Sequence, residues 1–332
     1  MLPASATAQL LPAHKPTAVF AEESPTLSGY RATILADSVL SEAEAQRVTG
    51  TKEDRLVTFV LRFPRIVLSE LNTHRVFSRN SASSRAKSLR TTLKEVMEEP
   101  YLPFVTENRR GMSGELMDDS QVARAHELIL EERDATVAFC LKLLTGRPVT
   151  AEDVRREYGA LVEDYYETVY RGEGTAESLN VHKQVVNRYL EPFMWHEAVV
   201  TSYYWENFFA LRDHDDADPA IHALARVMAV ALEASAPEVT KTHIPFFSQE
   251  FDGGLGLMEQ CEASSARAAG VSFHSVVDKP ARDALPLARR LLTSRHLSPF
   301  EHAAISSSER EAAYGSPRNF GGGWIQYRSL VD

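Results

Sequence analysis

Apolar and polar residues alternate in two stretches near the start of the chain. Residues 56 to 63 have the two-residue period of a half-buried strand, and residues 30 to 36 predict another strand. A break at Pro64 and an apolar helical turn follow, directly before a basic loop at residues 70 to 90. The pattern therefore predicts that elements of the core hold this loop.

Apolar residues recur at helical spacing through most of the remaining chain, so its middle is predicted to be mainly helical. Asp218-Pro219 is a typical N-cap and first-turn pair, and Gly146-Arg-Pro148 is a typical helix stop. The predicted helices are residues 116 to 144, 151 to 170, 176 to 190, 194 to 212, 258 to 269, 280 to 295 and one that begins at Asp218. An irregular connector at 236 to 257 and a short strand at 303 to 308 complete the prediction.

Little periodicity is seen in residues 1 to 28, so we expect a flexible arm there and a single domain from 29 to 332. The chain has 332 residues, of which 44% are hydrophobic, enough to bury a sizeable core. No stretch approaches the roughly 20 apolar residues of a membrane span, and the first residues lack the pattern of a secretory signal. We therefore expect a cytoplasmic protein without a membrane partner.

The formal net charge of −10 opposes general binding of nucleic acid, because a polyanion would be repelled by most of the surface. A small phosphorylated ligand suits a local basic segment better. The two cysteines exclude a disulfide framework, and neither Cys140 nor Cys261 has a neighbouring base that would activate it as a nucleophile. No metal site is expected, since the cysteines lack closely spaced histidine partners.

The basic loop carries several cations among serine and asparagine residues, with no acidic residue after Glu70. Guanidinium groups and hydroxyls of this kind suit the oxygens of a phosphate. A solvated surface loop is the alternative for such a run. The cations are Arg75, Arg79, Arg85, Lys87 and Arg90.

A second informative block lies at residues 187 to 219. Arg188, Asn207 and Arg212 sit there among bulky apolar and aromatic residues, where a buried arginine needs an anionic or carbonyl partner. An internal ion pair is the alternative to a ligand, with Glu191, Glu206 or Asp213 as the partner.

The third block consists of Ser272-Phe273, which follows SSARAAGV, and of HLSPFEH at residues 296 to 302. Taken alone, Ser298-Pro-Phe-Glu301 is a capping box with proline at the first helical position. A ligand site at Ser298 and Glu301 is the other interpretation, and the two do not exclude each other.

These blocks together resemble the flavin-dependent thymidylate synthases. The basic loop resembles their signature loop through His74-Arg75, seven residues, then Ser83 and Arg85. It departs from the family at Thr73, Glu70 and Ser81, where arginine, glutamine and glutamate are usual. The block that ends at Arg212 resembles the family's Asn-Phe-x-x-Leu-Arg run, although Asp216 stands where the family has a histidine.

The resemblance implies a role for each matched residue. Arg212 would lie over the pyrimidine as the catalytic arginine. The nucleotide-binding residues would be Glu70, Ser83, Arg85, Arg188 and Arg212. Those that bind FAD would be His74, Arg75, Val76, Asn207, Ser272, Ser298 and Glu301.

The third block comes last in this chain but first in ordinary members of the family. We infer a circular permutation in which residues 258 to 332 are equivalent to the family's N-terminal part. Gln326 or Arg328 would then compensate for the residues missing at Glu70 and Thr73. The implied fold is a helix-rich α+β domain around a central mixed sheet, assembled as a homotetramer whose subunits share active sites.

The implied activity is reductive C5-methylation of dUMP, with methylenetetrahydrofolate and NADPH as co-substrates. UMP is a second candidate substrate, because the Thr-His-Arg form of the loop resembles that of the C5-methylases of polyoxin-type nucleoside antibiotic pathways. Two other functions stay open: a flavin- or nucleotide-binding protein without catalysis, and a helical RNA-binding or scaffold protein that uses the basic loop.

Overall fold

A central sheet surrounded by helices forms the fold of the chain in a computed structural model. It describes residues 18–20, 29–48, 55–83, 86–110, 114–170, 179, 181–270, 280–306, 320 and 323–332. The strands are β1 (Ala18–Phe20), β2 (Arg31–Val39), β3 (Leu56–Pro64), β4 (Ser78–Ser81), β5 (Trp195–Ser202), β6 (Glu238–Val239), β7 (Thr242–His243), β8 (Ala304–Ser306) and β9 (Trp324–Gln326).

Twelve α-helices lie in the described part of the chain. They are α1 (Glu42–Val48), α2 (Leu68–Asn72), α3 (Leu89–Glu98), α4 (Asp119–Thr145), α5 (Ala151–Tyr170), α6 (Lys183–Tyr189), α7 (Glu206–Arg212), α8 (Pro219–Glu233), α9 (Gln249–Asp252), α10 (Leu257–Ala269), α11 (Ala281–Thr293) and α12 (Arg328–Val331). Single 3-10 turns occupy Arg65–Val67, Glu191–Phe193 and Ser298–Glu301.

The central sheet has the order β1-β2-β3-β5-β4, and each of these strands is antiparallel to its neighbour. The short strand β6 adds to β2 in parallel, so the sheet is mixed. A separate small sheet has the order β7-β8-β9. Helix α8 packs its apolar side on the central sheet and forms the largest hydrophobic core with β2, β3 and β5. The molecule therefore combines helices and sheet as the α+β prediction requires.

Helix α8 begins as its sequence predicts. The carboxylate of Asp218 accepts hydrogen bonds from the backbone N–H groups of Ala220 and Ile221, at 2.9 and 3.4 Å. Pro219 occupies the first helical position, where its missing N–H costs nothing. The predictions for α4, α5, α10 and α11 and for the strands β2, β3 and β8 are also confirmed to within a few residues.

The prediction of a helix over residues 194 to 212 is wrong in its first half. Residues 195 to 202 form β5, which lies between β3 and β4, and only Glu206–Arg212 is helical. The residues from Ala198 to Ser202 are all buried because neighbouring strands flank them and other elements cover both faces of the sheet. Such a strand shows a continuous apolar run instead of alternation, and periodicity alone does not separate it from a buried helix.

Two further predictions are met only in part by the described residues. Helix α6 covers Lys183–Tyr189 of the helix predicted at 176 to 190, of which residues 176 to 178 and 180 lie outside the described residues. Within the predicted arm, Ala18–Phe20 pairs with β2 as strand β1, and the other residues from 1 to 28 lie outside the described part.

Both cysteines are buried in hydrophobic clusters, Cys140 among α4, α5 and α6 and Cys261 among α10 and α11. Burial raises the pKa of each thiol to about 12, and Glu262 adds to the shift at Cys261. Neither side chain supplies a thiolate at neutral pH.

A line of buried hydrogen bonds joins the two sheets. His243 bonds Ser38 through Nδ1 at 2.9 Å and Thr58 through Nε2 at 2.7 Å. Thr58 bonds the hydroxyl of Thr201 at 2.7 Å, and Thr201 bonds Nδ1 of His302 at 2.8 Å. All five side chains are under 5% exposed, so each of these bonds is shielded from water.

Buried neutral histidines predict a fall in stability on acidification. Burial lowers the pKa of His302 and of His196 to about 3, and Arg65 and Lys87 add to the shift at His196. Both pKa values lie below the 6.5 of an unperturbed histidine. At pH values between about 3 and 6.5 the unfolded chain therefore binds more protons than the folded protein. The free energy of unfolding should therefore fall by about 2 kcal/mol for each histidine between about pH 6.5 and pH 5.

Chemical denaturation at a series of pH values measures this effect. In His302→Asn the amide nitrogen replaces ring Nδ1 and keeps the bond to Thr201, so this variant should lose one histidine's share of the pH dependence. The exposed His214→Asn is the matched control and should keep the wild-type slope. Equal slopes for wild type and His302→Asn would contradict the assignment.

Candidate functional site

Strand β4 lies within the basic loop and holds the part of the loop before it in place. The guanidinium Nη1 of Arg79 donates to the carbonyl oxygens of Leu71, Asn72 and His74, at 3.4, 3.2 and 3.0 Å. The first two belong to the last turn of α2, whose carbonyls have no partner within the helix. A single side chain thus caps the C-terminal end of α2 and holds the following loop in place.

Arg212 at the end of α7 reaches the same loop. Its Nε donates to Nε2 of His74 at 3.1 Å, and its Nη2 donates to the hydroxyl of Thr73 at 3.2 Å. That hydroxyl donates in turn to the carbonyl oxygen of Glu70 at 2.7 Å. Three of the five N–H groups of Arg212 make no hydrogen bond within the described residues and remain available to a ligand.

His74 is held neutral by its surroundings. Burial lowers its pKa, and the charges of Arg212 and Arg79 lower it further. Because Nε2 accepts from Arg212, the ring proton lies on Nδ1. The ring stacks on Phe77 at a centroid distance of 5.5 Å and meets the edge of Phe208 at 5.0 Å, so it packs α7 against the loop.

Side chains on the outer side of this unit face solvent. Arg75, Val76 and Asn207 are exposed, and Val76 is one of the exposed large hydrophobic residues. Arg75 and Asn207 make no hydrogen bond or ion pair in the described part of the chain.

Segments from the end of the chain contact β4 from another side. Gln326 donates to the hydroxyl of Ser78 at 2.9 Å and to the carbonyl oxygen of Glu301 at 3.0 Å. The carboxylate of Glu301 pairs with Arg328. Burial lowers the pKa of Arg79, and the same carboxylate opposes that shift, so Glu301 faces cations on both β4 and α12.

Asn80 completes these contacts. Its amide donates to the carbonyl oxygen of Ala268 at 2.6 Å, and its own carbonyl accepts from the hydroxyl of Ser298 at 3.4 Å. Ser298 makes no capping hydrogen bond in its 3-10 turn, so the capping-box interpretation is wrong. Ser298 is the first residue of the turn, after the N-cap Leu297, and its hydroxyl donates to Asn80 of β4 instead.

An open cleft of about 500 Å³ lies beside α2. It is lined by Arg65, Arg188 and Glu191 and by the polar residues Ser69 and Asn72. Its volume falls within the roughly 300–1,000 Å³ of small-molecule sites. A smaller void of about 10 Å³ lies between Ser83, Lys87, His196 and Arg65.

The prediction that Arg188 is buried is wrong, because this residue is exposed at the cleft. Glu191 pairs with Arg65 at 3.3 Å, and Asp213 pairs with Arg226 at 3.1 Å. Two of the three acids considered as internal partners of the arginines in this block thus pair with other arginines. The matched residues Arg85 and Ser272 lie outside the described residues.

Gln326 donates to the hydroxyl of Ser78, and Arg328 pairs with Glu301. The carboxylate of Glu70 accepts a hydrogen bond from its neighbour Ser69 at 2.7 Å. The contacts of Gln326 and Arg328 are therefore made to β4 and Glu301 and not to Glu70 or Thr73. His214 and Asp216 lie on an exposed turn after α7, where Nδ1 of His214 accepts the backbone N–H of Asp216 at 3.1 Å.

The sequence did not single out three residues that shape the candidate site. Arg65 lines the cleft, and Arg79 and Asn80 hold neighbouring segments against β4. Arg79 and Asn80 lie inside the recognised basic run, but their acceptors are backbone carbonyls that no motif reveals. The signal at Arg65 was its position directly after the strand-ending Pro64.

The exposed residues fit the requirements of a flavin nucleotide in part. The guanidinium of Arg75 and the amide of Asn207 make no bonds in the described part of the chain and suit phosphate or ring-edge atoms, and Val76 offers an apolar surface. Ser298 and Glu301 lie across β4 and already contact Asn80 and Arg328. The described residues contain no group of three or more His, Cys, Asp or Glu that would hold a metal ion. Within the same residues, no helix is long and apolar enough to cross a membrane.

No family model and no curated protein matches the chain. Among solved structures, the chain is similar to the crystal structure of a UMP/dUMP methylase, PolB from Streptomyces cacaoi, bound with 5-Br UMP. The sequence identity is 16%, the match covers 60% of this chain and 87% of that chain, and the TM-score is 0.37. A likeness at this level assigns neither fold nor function.

Replacing Arg79 should loosen the loop selectively. Arg79→Met removes the donor that three carbonyls share, so the amides of residues 71 to 77 should exchange with deuterium about tenfold faster or more. Hydrogen exchange read by mass spectrometry measures this. Arg75→Met is the matched control in the same loop, since it removes the same charge and no described bond. If both variants exchange alike, Arg79 does not organise the loop.

Proposed function

We propose that this protein is a flavin-dependent C5-methylase of uridine monophosphates. The observation that carries the proposal is the contact of Arg212 with Thr73 and His74, which joins two of the motif segments across more than a hundred residues. Motif segments that match a family by chance have no reason to meet in space. Through this contact Arg212, to which the resemblance assigns the pyrimidine, lies beside the loop to which it assigns the nucleotide and the flavin.

The reaction forms a bond between C5 of the uracil ring and the methylene carbon of methylenetetrahydrofolate. The C5 proton leaves, the transferred carbon accepts a hydride, and tetrahydrofolate departs. NADPH is the source of the hydride, so NADP⁺ is the second product. A bound flavin supplies the step that carries this hydride from NADPH to the one-carbon unit.

Arg212 has the properties that this reaction needs. Negative charge develops on the pyrimidine as C5 becomes nucleophilic, and preorganised N–H donors directed at that charge lower the barrier. Arg212 is fixed by His74 and Thr73 through two of its N–H groups and keeps three for the ring. His74, being neutral, orients the guanidinium without repelling it.

A route through a protein thiolate is disfavoured by the two buried thiols, whose pKa values are about 12. The exposed Arg75, Val76 and Asn207 would hold the flavin together with Ser298, whose hydroxyl contacts Asn80 of β4. Glu70, Ser83, Arg85 and Arg188 would bind the nucleotide. A homotetramer with shared active sites belongs to the same proposal, and the exposed Arg75, Asn207 and Arg188 are accessible to a second subunit.

Spectroscopy and product analysis test the proposal. We expect purified protein to show flavin absorbance, to oxidise NADPH and to convert dUMP with methylenetetrahydrofolate into the 5-methylated nucleotide. UMP is assayed in parallel because the name of PolB includes both nucleotides. Arg212→Gln should lower kcat by about a hundredfold or more.

Arg124→Gln is the matched control, since Arg124 is exposed on α4 and pairs with Glu127 of the same helix. Its kcat should stay near the wild-type value. Flavin and nucleotide binding without any methylated product would favour the non-catalytic alternative. Protein that neither binds flavin nor forms product would refute both.

A further inference from the structure

Arg65 occupies a position that the motifs do not assign to any function. It follows Pro64 at the end of β3 and begins a 3-10 turn that leads into α2. Its side chain is 20% exposed and lines the open cleft with Arg188, and it also borders the small void beside Ser83. Arg65 therefore connects two residues that are candidates for binding the nucleotide.

We propose that Arg65 binds the 5′-phosphate of the nucleotide together with Arg188 and thereby selects nucleotides over nucleosides. The inference rests on the proposed function for the identity of the ligand. It assigns a specificity role to a residue outside the recognised motifs.

The charge balance of the cleft supports an anionic ligand. Arg65 and Arg188 contribute two positive charges, and Glu191 is the one acidic residue among the lining residues. The side chain of Arg188 makes no hydrogen bond or ion pair within the described residues. The cleft thus carries an excess of positive charge in a protein whose formal net charge is −10.

The present partners of Arg65 hold it loosely. Its Nη2 lies 3.3 Å from Glu191, whereas Arg55 approaches Asp37 to 2.7 Å and Lys87 approaches Glu95 to 2.9 Å. Its Nη1 lies 3.3 and 3.4 Å from the two ring nitrogens of His196. A charge-assisted bond is normally about 2.7–2.9 Å long, so the guanidinium has bonding capacity that a phosphate would use.

His196 contacts Arg65 from the interior. The ring is buried and neutral, so it can accept only one hydrogen bond and leaves the guanidinium charge uncompensated. Glu191 is therefore the competitor that a phosphate must displace from Arg65. Removing its charge should strengthen phosphate binding, and removing the charge of Arg65 should weaken it.

Calorimetric titration with UMP and with uridine measures how much each residue contributes to binding the phosphate. In Arg65→Gln the affinity for UMP should fall about tenfold or more, because a charged hydrogen bond is lost, while the affinity for uridine should stay within about twofold. Glu191→Gln should bind UMP a few-fold more tightly. The exposed Arg124→Gln on α4, which also breaks an arginine–glutamate pair, is the matched control and should bind like wild type.

Equal losses for UMP and uridine in Arg65→Gln would show that Arg65 only supports the structure and would overturn the inference. So would weaker UMP binding in Glu191→Gln, or a wild-type protein that binds UMP no better than uridine. Circular dichroism and thermal unfolding of each variant verify the fold. Because binding is measured without turnover, a protein that binds UMP through Arg65 but forms no methylated product would fail only the proposed function.

Discussion

The candidate site depends on a strand of four residues. Each of the first three residues of β4 holds a different part of the chain: Ser78 accepts from Gln326, Arg79 donates to the carbonyls at the end of α2, and Asn80 donates to Ala268. Since successive side chains of a strand point to opposite faces, such a strand can bind segments on both of its sides. The backbone of β4 pairs with β5, which anchors the whole arrangement to the central sheet.

This arrangement explains why the basic loop is not an ordinary solvated run. Glu301 pairs with Arg328, and its charge also opposes the fall that burial causes in the pKa of Arg79, so one carboxylate compensates cations from two distant segments. Arg212 adds a third segment through His74, whose lowered pKa keeps positive charge from accumulating next to the guanidinium. Among the described residues, the groups left for a ligand include three N–H groups of Arg212 and the exposed side chains of Arg75, Arg188 and Asn207.

Local signals in the sequence predicted those elements whose ends are defined by local chemistry. Asp218-Pro219 and Gly146 mark helix ends through single residues, and β3 shows its period because its two faces differ. Strand β5 was not recognisable, since burial on both faces removes the alternation. The resemblance named Arg212 and His74 in two separate segments, and these two side chains contact each other. The partners of Arg79, Asn80 and Gln326 are backbone or hydroxyl groups whose position only the tertiary structure defines.

In the buried line of hydrogen bonds between the sheets, one ring nitrogen determines the donor and the acceptor of each bond. Nε2 of His302 is buried and has no hydrogen-bond partner among the described residues. A buried N–H without an acceptor is rarer and costlier than a lone pair without a donor, so the ring proton belongs on Nδ1 and is donated to Thr201. Each hydroxyl has a single proton to give. Thr201 must then donate to Thr58, Thr58 to Nε2 of His243, and Nδ1 of His243 to Ser38. The unpaired nitrogen at one end therefore sets the tautomer of a histidine in the other sheet. Burial lowers the pKa of His302 to about 3, and protonation would also place a second N–H on a nitrogen that has no acceptor among the described residues.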